Sequence, residues 1–223
     1  MLRKLRQPDT LANQAYRSIK KAIIQGEFSP QEQLAEEHIA SILGISRTPI
    51  REAMNRLAYE GLLEIEKGKK ARVAAFTEHD HENFLELRQL LEPYNVWKIA
   101  ATISSDVIRE LEHNLLEQLQ AIQNKNFYLF IEKDMEFHLL LAKDSKNNKL
   151  VEFIEQLNTN LNRRFLISSK ILELGVYEAY TEHIAILEAL KERDGEAAKE
   201  SMIHHIKKIE ERINLYQTKR EIE

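Results

Sequence analysis

Between Leu63 and Val73 the hydrophobic period of this chain switches from that of a helix to that of a strand. Before the switch, Leu11, Ala15, Ile19 and Ile23 recur every four residues, so Thr10–Gln25 reads as a helix stopped by Gly26. A second short helix spans Leu34–Leu43 and ends at Gly44. A third starts from a Ser46 cap and runs to about Tyr59, with Pro49 tolerated in its first turn. Leu63 and Ile65 then alternate with charged residues, as do Ala71 and Val73 beyond the loop Glu66-Lys67-Gly68-Lys69-Lys70. That is a two-stranded hairpin with a basic, glycine-bearing tip. Three helices and a hairpin, in that order, make a winged helix-turn-helix.

From Thr77 onward the period is helical throughout. The expected segments are 78–103, 106–124, 127–144, 148–170, 177–193 and 195–219. Pro93 should kink or split the first of them. All six glycines, Gly175 and Gly195 included, read as punctuation between segments. The intervening turns are short, which makes successive helices antiparallel neighbours. The expected fold is therefore mainly α. A winged helix-turn-helix occupies 1–75, a linker 76–78, and an all-α antiparallel helical bundle 79–223.

Composition narrows the function. The 223 residues include no Cys, which excludes disulfide frameworks, thiolate zinc sites and cysteine nucleophiles, and which fits a reducing cytoplasm. No run of about eighteen apolar residues exists, so a soluble cytoplasmic protein without membrane contact is expected. The net charge of −4 is unevenly spread. Residues 1–75 hold thirteen Lys/Arg against nine Asp/Glu, whereas the remainder holds nineteen against twenty-seven. A basic head on an acidic body points to an anionic partner for the head.

Within the head, Arg47 and Arg51 lie four apart on one helical face, with Thr48 and Arg56 nearby, while Ile50, Ala53, Met54 and Leu57 supply the buried side. An arginine here can take a phosphate or grip a guanine edge. The run Gly44-Ile45-Ser46-Arg47-Thr48-Pro49-Ile50-Arg51-Glu52-Ala53, followed by Arg56-Leu57 and Glu60-Gly61-Leu62, resembles the GntR family of bacterial transcription regulators. The helical remainder is similar to its branch with an FCD ligand domain, in the shorter VanR-like form. The resemblance implies that Arg47, Thr48 and Arg51 contact operator DNA. It also implies that Gly68 brings the wing-tip backbone to the minor groove with Lys67 beside it. At Glu32 the chain departs from members that place a DNA-contacting Arg there. A homodimer on a palindromic operator is implied as well.

In the bundle, Asp134 and His138 project from one helical face at i and i+4. His183 and His205 are equidistant from Asp194-Gly195, so across an antiparallel hairpin they face each other. One carboxylate and three imidazoles suit a divalent transition metal, although separate hydrogen-bonded histidines fit the spacing too. The resemblance implies the metal, through Asp134/His138, Glu182-His183 and Met202-Ile203-His204-His205, and the Met three residues earlier selects His205 over His204. The ion could be zinc, nickel or manganese. Arg88, by the same resemblance, reaches an effector carboxylate; a surface salt bridge with Glu86 or Glu92 is the alternative. Tyr94, Trp97, Phe130, Phe137, Phe153 and Phe165 are core or pocket wall, and His38, His79, His81 and His113 belong on the surface.

The expectation is a ligand-responsive regulator, in the repressing sense, that senses a small organic acid beside a metal and so changes operator affinity. An enzyme built on the metal cluster is the first alternative. No His-Glu-x-x-His, phosphate loop or nucleophile elbow supports it, and no spare acid or base stands out near the four ligands. An architectural DNA-binding dimer is the second, and buried polar groups without a purpose speak against that.

Overall fold

The computed structural model describes residues 9–75, 78–167 and 169–220, with the backbone alone at 78–79, 81, 159–167, 169–174, 213–214 and 216–220. Residues 76 and 77 of the expected linker, and the side chains of His79, His81 and Phe165, lie outside the described residues. The chain divides into two compact units that part at 76–77.

In the first unit, α1 (Leu11–Ile24) begins at Thr10, whose hydroxyl accepts a hydrogen bond from the Asn13 amide. α2 (Glu36–Leu43) carries Glu36 and Glu37 in its first turn, where the helix dipole favours them. It stops at Gly44 in the left-handed region, φ 65°, and the Gly44 amide donates to the Ala40 carbonyl. α3 (Arg47–Tyr59) follows at once. Ser46 stands at its N-cap, but its side chain makes no capping hydrogen bond, unlike the expectation. Ile19, Ile23, Ile39, Ile50, Met54 and Leu57 are among the side chains that form one apolar core.

The sheet differs from a two-stranded hairpin. β1 (Gln33–Leu34), β2 (Leu63–Glu64) and β3 (Ala71–Val73) form three antiparallel strands in the order β1-β3-β2. Leu34 pairs with Ala71 and Leu63 with Val73. The expected start of the second helix at Leu34 is therefore wrong: Leu34 is a strand residue that buries its side chain in the core. Two residues are too few to display a period of two.

The second unit consists of α4 (Glu78–Ala100), α5 (Ser105–Gln123), α6 (Phe127–Asp144), α7 (Asn148–Ile167), α8 (Ser169–Lys191) and α9 (Gly195–Arg220). Side-chain caps at Ser104, Asn126 and Asp194 start α5, α6 and α9. The core joins Leu85, Val96 and Ile99 of α4 to Leu111, Phe137, Leu187 and Ile206 from the other helices. No described helix is long and apolar enough to cross a membrane.

Two readings are corrected here, the splitting of α4 at Pro93 and the place of Gly175. Pro93 does not split α4, which continues through it to Ala100. Proline removes one donor to the preceding turn, and α4 tolerates that loss with Pro93 itself buried. Gly175 is no punctuation but lies inside α8. A Cβ there would stand 2.5 Å from Cδ of Arg212, so a side-chain-free position is what lets α9 lay its arginine across α8. Gly195, similarly, is the first residue of α9, where a Cβ would meet the Trp97 carbonyl at 3.0 Å.

Candidate functional site

The first unit presents a groove of about 760 Å³ between α3 and the β2–β3 loop. Arg47 and Arg51 stand on its helical wall, with Lys67, Gly68, Lys69 and Lys70 on the other. Arg47, Thr48 and Arg51 are exposed because Pro49, Ile50, Ala53 and Met54 turn the opposite face inward. Gly68 adopts φ +80°, a backbone that glycine alone adopts freely, with open space around it. The arginines are held in place by α2. Arg51 donates to both oxygens of Glu36 through Nε and Nη2 at 2.9 and 2.8 Å, and Arg47 Nη1 donates to Glu37 at 2.6 Å. The Arg51 hydrogen bond keeps the Glu36 carboxyl below its usual range.

Two neighbours do other work. Arg56 donates to Asn13 Oδ1 at 2.7 Å and lies 4.0 Å over the Tyr16 ring, tying α3 to α1. Glu32 accepts from the Ser29 amide at 2.8 Å and so closes a turn, which accounts for a carboxylate at this position.

In the second unit, α6, α8 and α9 bring Asp134, His138, His183 and His205 together, each offering a ligand atom within 4.8 Å of the others. His183 and His205 have ring centroids 4.5 Å apart, and His138 lies 5.3 and 5.2 Å from them. The three rings are buried, Asp134 is 13% exposed, and His204 points to solvent. Phe137 stacks on His183 at 4.4 Å.

An outer layer fixes the rings. His183 Nδ1 donates to Gln118 Oε1 at 2.9 Å, and His205 Nδ1 donates to Glu182 Oε2 at 2.8 Å. Glu182 in turn accepts from both Arg212 nitrogens at 2.8 and 3.0 Å. These contacts commit each Nδ1 to carrying the proton, so each Nε2 keeps its lone pair, and neither buried Nε2 has a hydrogen-bond partner among the described residues, although Asp134 Oδ1 lies 3.4 Å from that of His183. Burial first, and cationic neighbours second, hold both imidazoles well below the ordinary histidine pKa, hence neutral at pH 7. Burial raises the Asp134 carboxyl, against the pull of His138 and Arg88.

Arg88 is not on the surface. It is 2% exposed and ion-paired to the equally buried Glu92, with Nη2 3.1 Å from His138 Nε2. Glu92 lies 2.5 Å from His138 Nδ1, and the Arg88 charge, helped by His138, overcomes burial to drive its carboxyl far down. The expectation of no acid beside the four residues is therefore corrected by Glu92 and Glu182. Sequence reasoning also missed Gln118, Asn95 and Asn158. Their shared signal is a polar residue within an otherwise buried helical stripe. Asn95 Oδ1 and both amide atoms of Asn158 are buried with no partner. Of the six aromatics, Phe130 and Phe137 are buried, whereas Tyr94, Trp97 and Phe153 are exposed. His38 and His113 are on the surface.

Comparison with known proteins covers both units. The sequence model described as "Bacterial regulatory proteins, gntR family" matches residues 11–73, and that of the FCD domain matches 83–208. The uncharacterized HTH-type transcriptional regulator YdhC of Bacillus subtilis (strain 168) is 31% identical over 206 residues, spanning 91% of this chain and 90% of its own. The HTH-type transcriptional repressor RspR of Escherichia coli (strain K12) is 28% identical over 201 residues, spanning 90% and 87%. Among solved structures, E. coli McbR/YncC shares the fold with a TM-score of 0.80 at 23% identity, across 93% of this chain and 99% of that one.

Proposed function

Since the chain belongs to the GntR family of bacterial regulatory proteins and carries an FCD domain, it is a transcription regulator rather than an enzyme, and we propose that it is a repressor whose operator affinity responds to a small organic acid. As a homodimer in the cytoplasm it reads a palindrome, one half-site per winged helix. Arg47, Thr48 and Arg51 enter the major groove, and Lys67 and Gly68 approach the adjacent minor groove. Each arginine exchanges its α2 carboxylate for a phosphate or a guanine edge. RspR is by name a repressor, and repression is the sign proposed here.

One observation carries the sensing half. Two buried Nε2 atoms aim lone pairs at a shared centre and find no protein donor. Unpaired buried polar atoms are costly, and a bound cation removes that cost. Three imidazoles and one carboxylate fit zinc, nickel or manganese. Asp134, His138, His183 and His205 would hold the ion, which would supply positive charge and open coordination positions to a carboxylate. Arg88 binds the same acid through its guanidinium.

The test uses a DNA fragment bearing the operator. Arg51→Ala should weaken binding while leaving metal content and oligomeric state as in the wild type. His183→Ala with His205→Ala should keep operator binding but lose the metal, by elemental analysis, and lose the response to organic acids. Unchanged DNA affinity in the first variant would remove the recognition-helix assignment. Equal metal in the second would remove the sensor.

A further inference from the structure

The exposed large apolar side chains of the described residues fall one to an element, except on α4. Leu11, Ile42, Tyr59, Leu116, Phe153, Tyr177 and Leu215 each stand alone on a different helix, Ile65 stands alone just after β2, and such isolated residues are ordinary surface. α4 shows four: Leu87, Leu90, Tyr94 and Trp97, which are 45, 63, 56 and 44% exposed. Their spacing of three, four and three sets them in one stripe about 15 Å long. The stripe lies on the side of the helix opposite Leu85, Arg88, Glu92, Val96 and Ile99, all buried. α4 is thus apolar on two faces, and its own unit covers one of them.

The charges at the ends of the stripe differ in sign. Glu82 and Glu86 are exposed at its N-terminal end, and Lys98 is exposed at its C-terminal end. Arg193 joins Lys98 there, donating to the carbonyl of Ala101 at 2.9 Å. A parallel pair of α4 helices would set acid on acid. An antiparallel pair sets the acidic end of each against the basic end of the other. The apolar positions obey the same symmetry, for Leu90 and Tyr94, and likewise Leu87 and Trp97, are equidistant from position 92. So are Glu86 and Lys98, one of each sign.

We propose that the outer face of α4 is the homodimer interface, with the α4 helices of two copies packed antiparallel about a two-fold axis near position 92. Leu90 of one copy then lies level with Tyr94 of the other, Leu87 level with Trp97, and Glu86 level with Lys98. The apolar stripe forms the dry centre and the charged ends form the rim. This rests on the homodimer reading above and names the surface that serves it.

The full-length protein tests both ideas by sedimentation equilibrium. Wild type should be a dimer at micromolar concentration. Leu90→Asp replaces an exposed residue, so helicity and melting temperature should hold while the dimer dissociation constant rises by about thirtyfold or more. Glu86→Lys and Lys98→Glu should each weaken the dimer, and the two combined in one chain should recover it. Because the chain has no cysteine, Leu90→Cys mixed with Tyr94→Cys should give an intermolecular disulfide under mild oxidation. A monomeric wild type overturns the homodimer reading and this proposal with it. A wild-type dimer indifferent to Leu90→Asp and to both charge reversals, with no disulfide, overturns the α4 assignment alone.

Discussion

At Gly175 the absence of a side chain reaches the cluster through three residues. Arg212 crosses α8 over that position, clasps Glu182 with two nitrogens, and Glu182 fixes the proton of His205 on Nδ1. Gly175→Ala brings two opposed effects. Alanine is favoured in a helix interior by about 1 kcal/mol, whereas its methyl must displace the arginine. Stability should therefore change little, while metal affinity falls by about tenfold or more, as it does when an outer partner of a ligating histidine is disturbed. Glu182→Gln should act in the same direction. Competition against a chromophoric chelator measures both, and affinity equal to wild type would show that Arg212 yields without disturbing Glu182.

The sequence exposes this level unevenly. Asp134 and His138 are legible because they share a helical face. The hairpin symmetry about Asp194-Gly195 puts His183 opposite His205, whose rings stand 4.5 Å apart. Arg212 and Gln118 act through contacts between helices, which no spacing along the chain encodes; Glu92 is legible as the i+4 partner of Arg88, but its contact with His138 on another helix is not. Gly175 reads as a stop when it is a point of close approach.

Among elements, α2 has two tasks. Its glutamates complement their own helix dipole, and they hold Arg47 and Arg51 extended beside the groove. If Arg47 and Arg51 contact DNA as proposed, DNA must displace these carboxylates, which then set part of the cost of binding. Glu36→Gln should strengthen binding to unrelated DNA several-fold, since the amide offers Arg51 no charge, and should steepen the dependence on salt. Fluorescence anisotropy at two salt concentrations checks this; weaker binding would mean that Glu36 orients Arg51 more than it competes for it. Lower pH is no substitute at neutrality. The folded carboxyl lies below its ordinary value, so the pair persists on acidification until pH passes beneath the usual carboxylate range. Helices long enough to repeat their period were readable, as α1, α3 and α6 illustrate. β1 was not, because it has two residues, and Pro93 does not split α4, whose inner face is held by packing.

For the whole molecule, an ion held by the four residues as proposed should stabilise the helical unit as well as equip it. A ligand at about a hundred times its dissociation constant adds about 2.7 kcal/mol. For a chain of this size that corresponds to about 5–10 °C in melting temperature. Chelation should lower the melting temperature by that amount and abolish the response of operator binding to organic acids. The His183→Ala, His205→Ala variant should melt at the same temperature with and without chelator. A chelator effect that survives in that variant would place the ion elsewhere.

The inner face of α4 carries Arg88 and Glu92, and its outer face carries Leu90 and Tyr94. If an acid binds Arg88 and two copies pair through α4, as proposed, a tug on the guanidinium would be felt one helix-width away, at the seam between the copies. Such a signal would need no relay of side chains through the body of the protein, because the same rod would serve as sensor wall and as hinge pin.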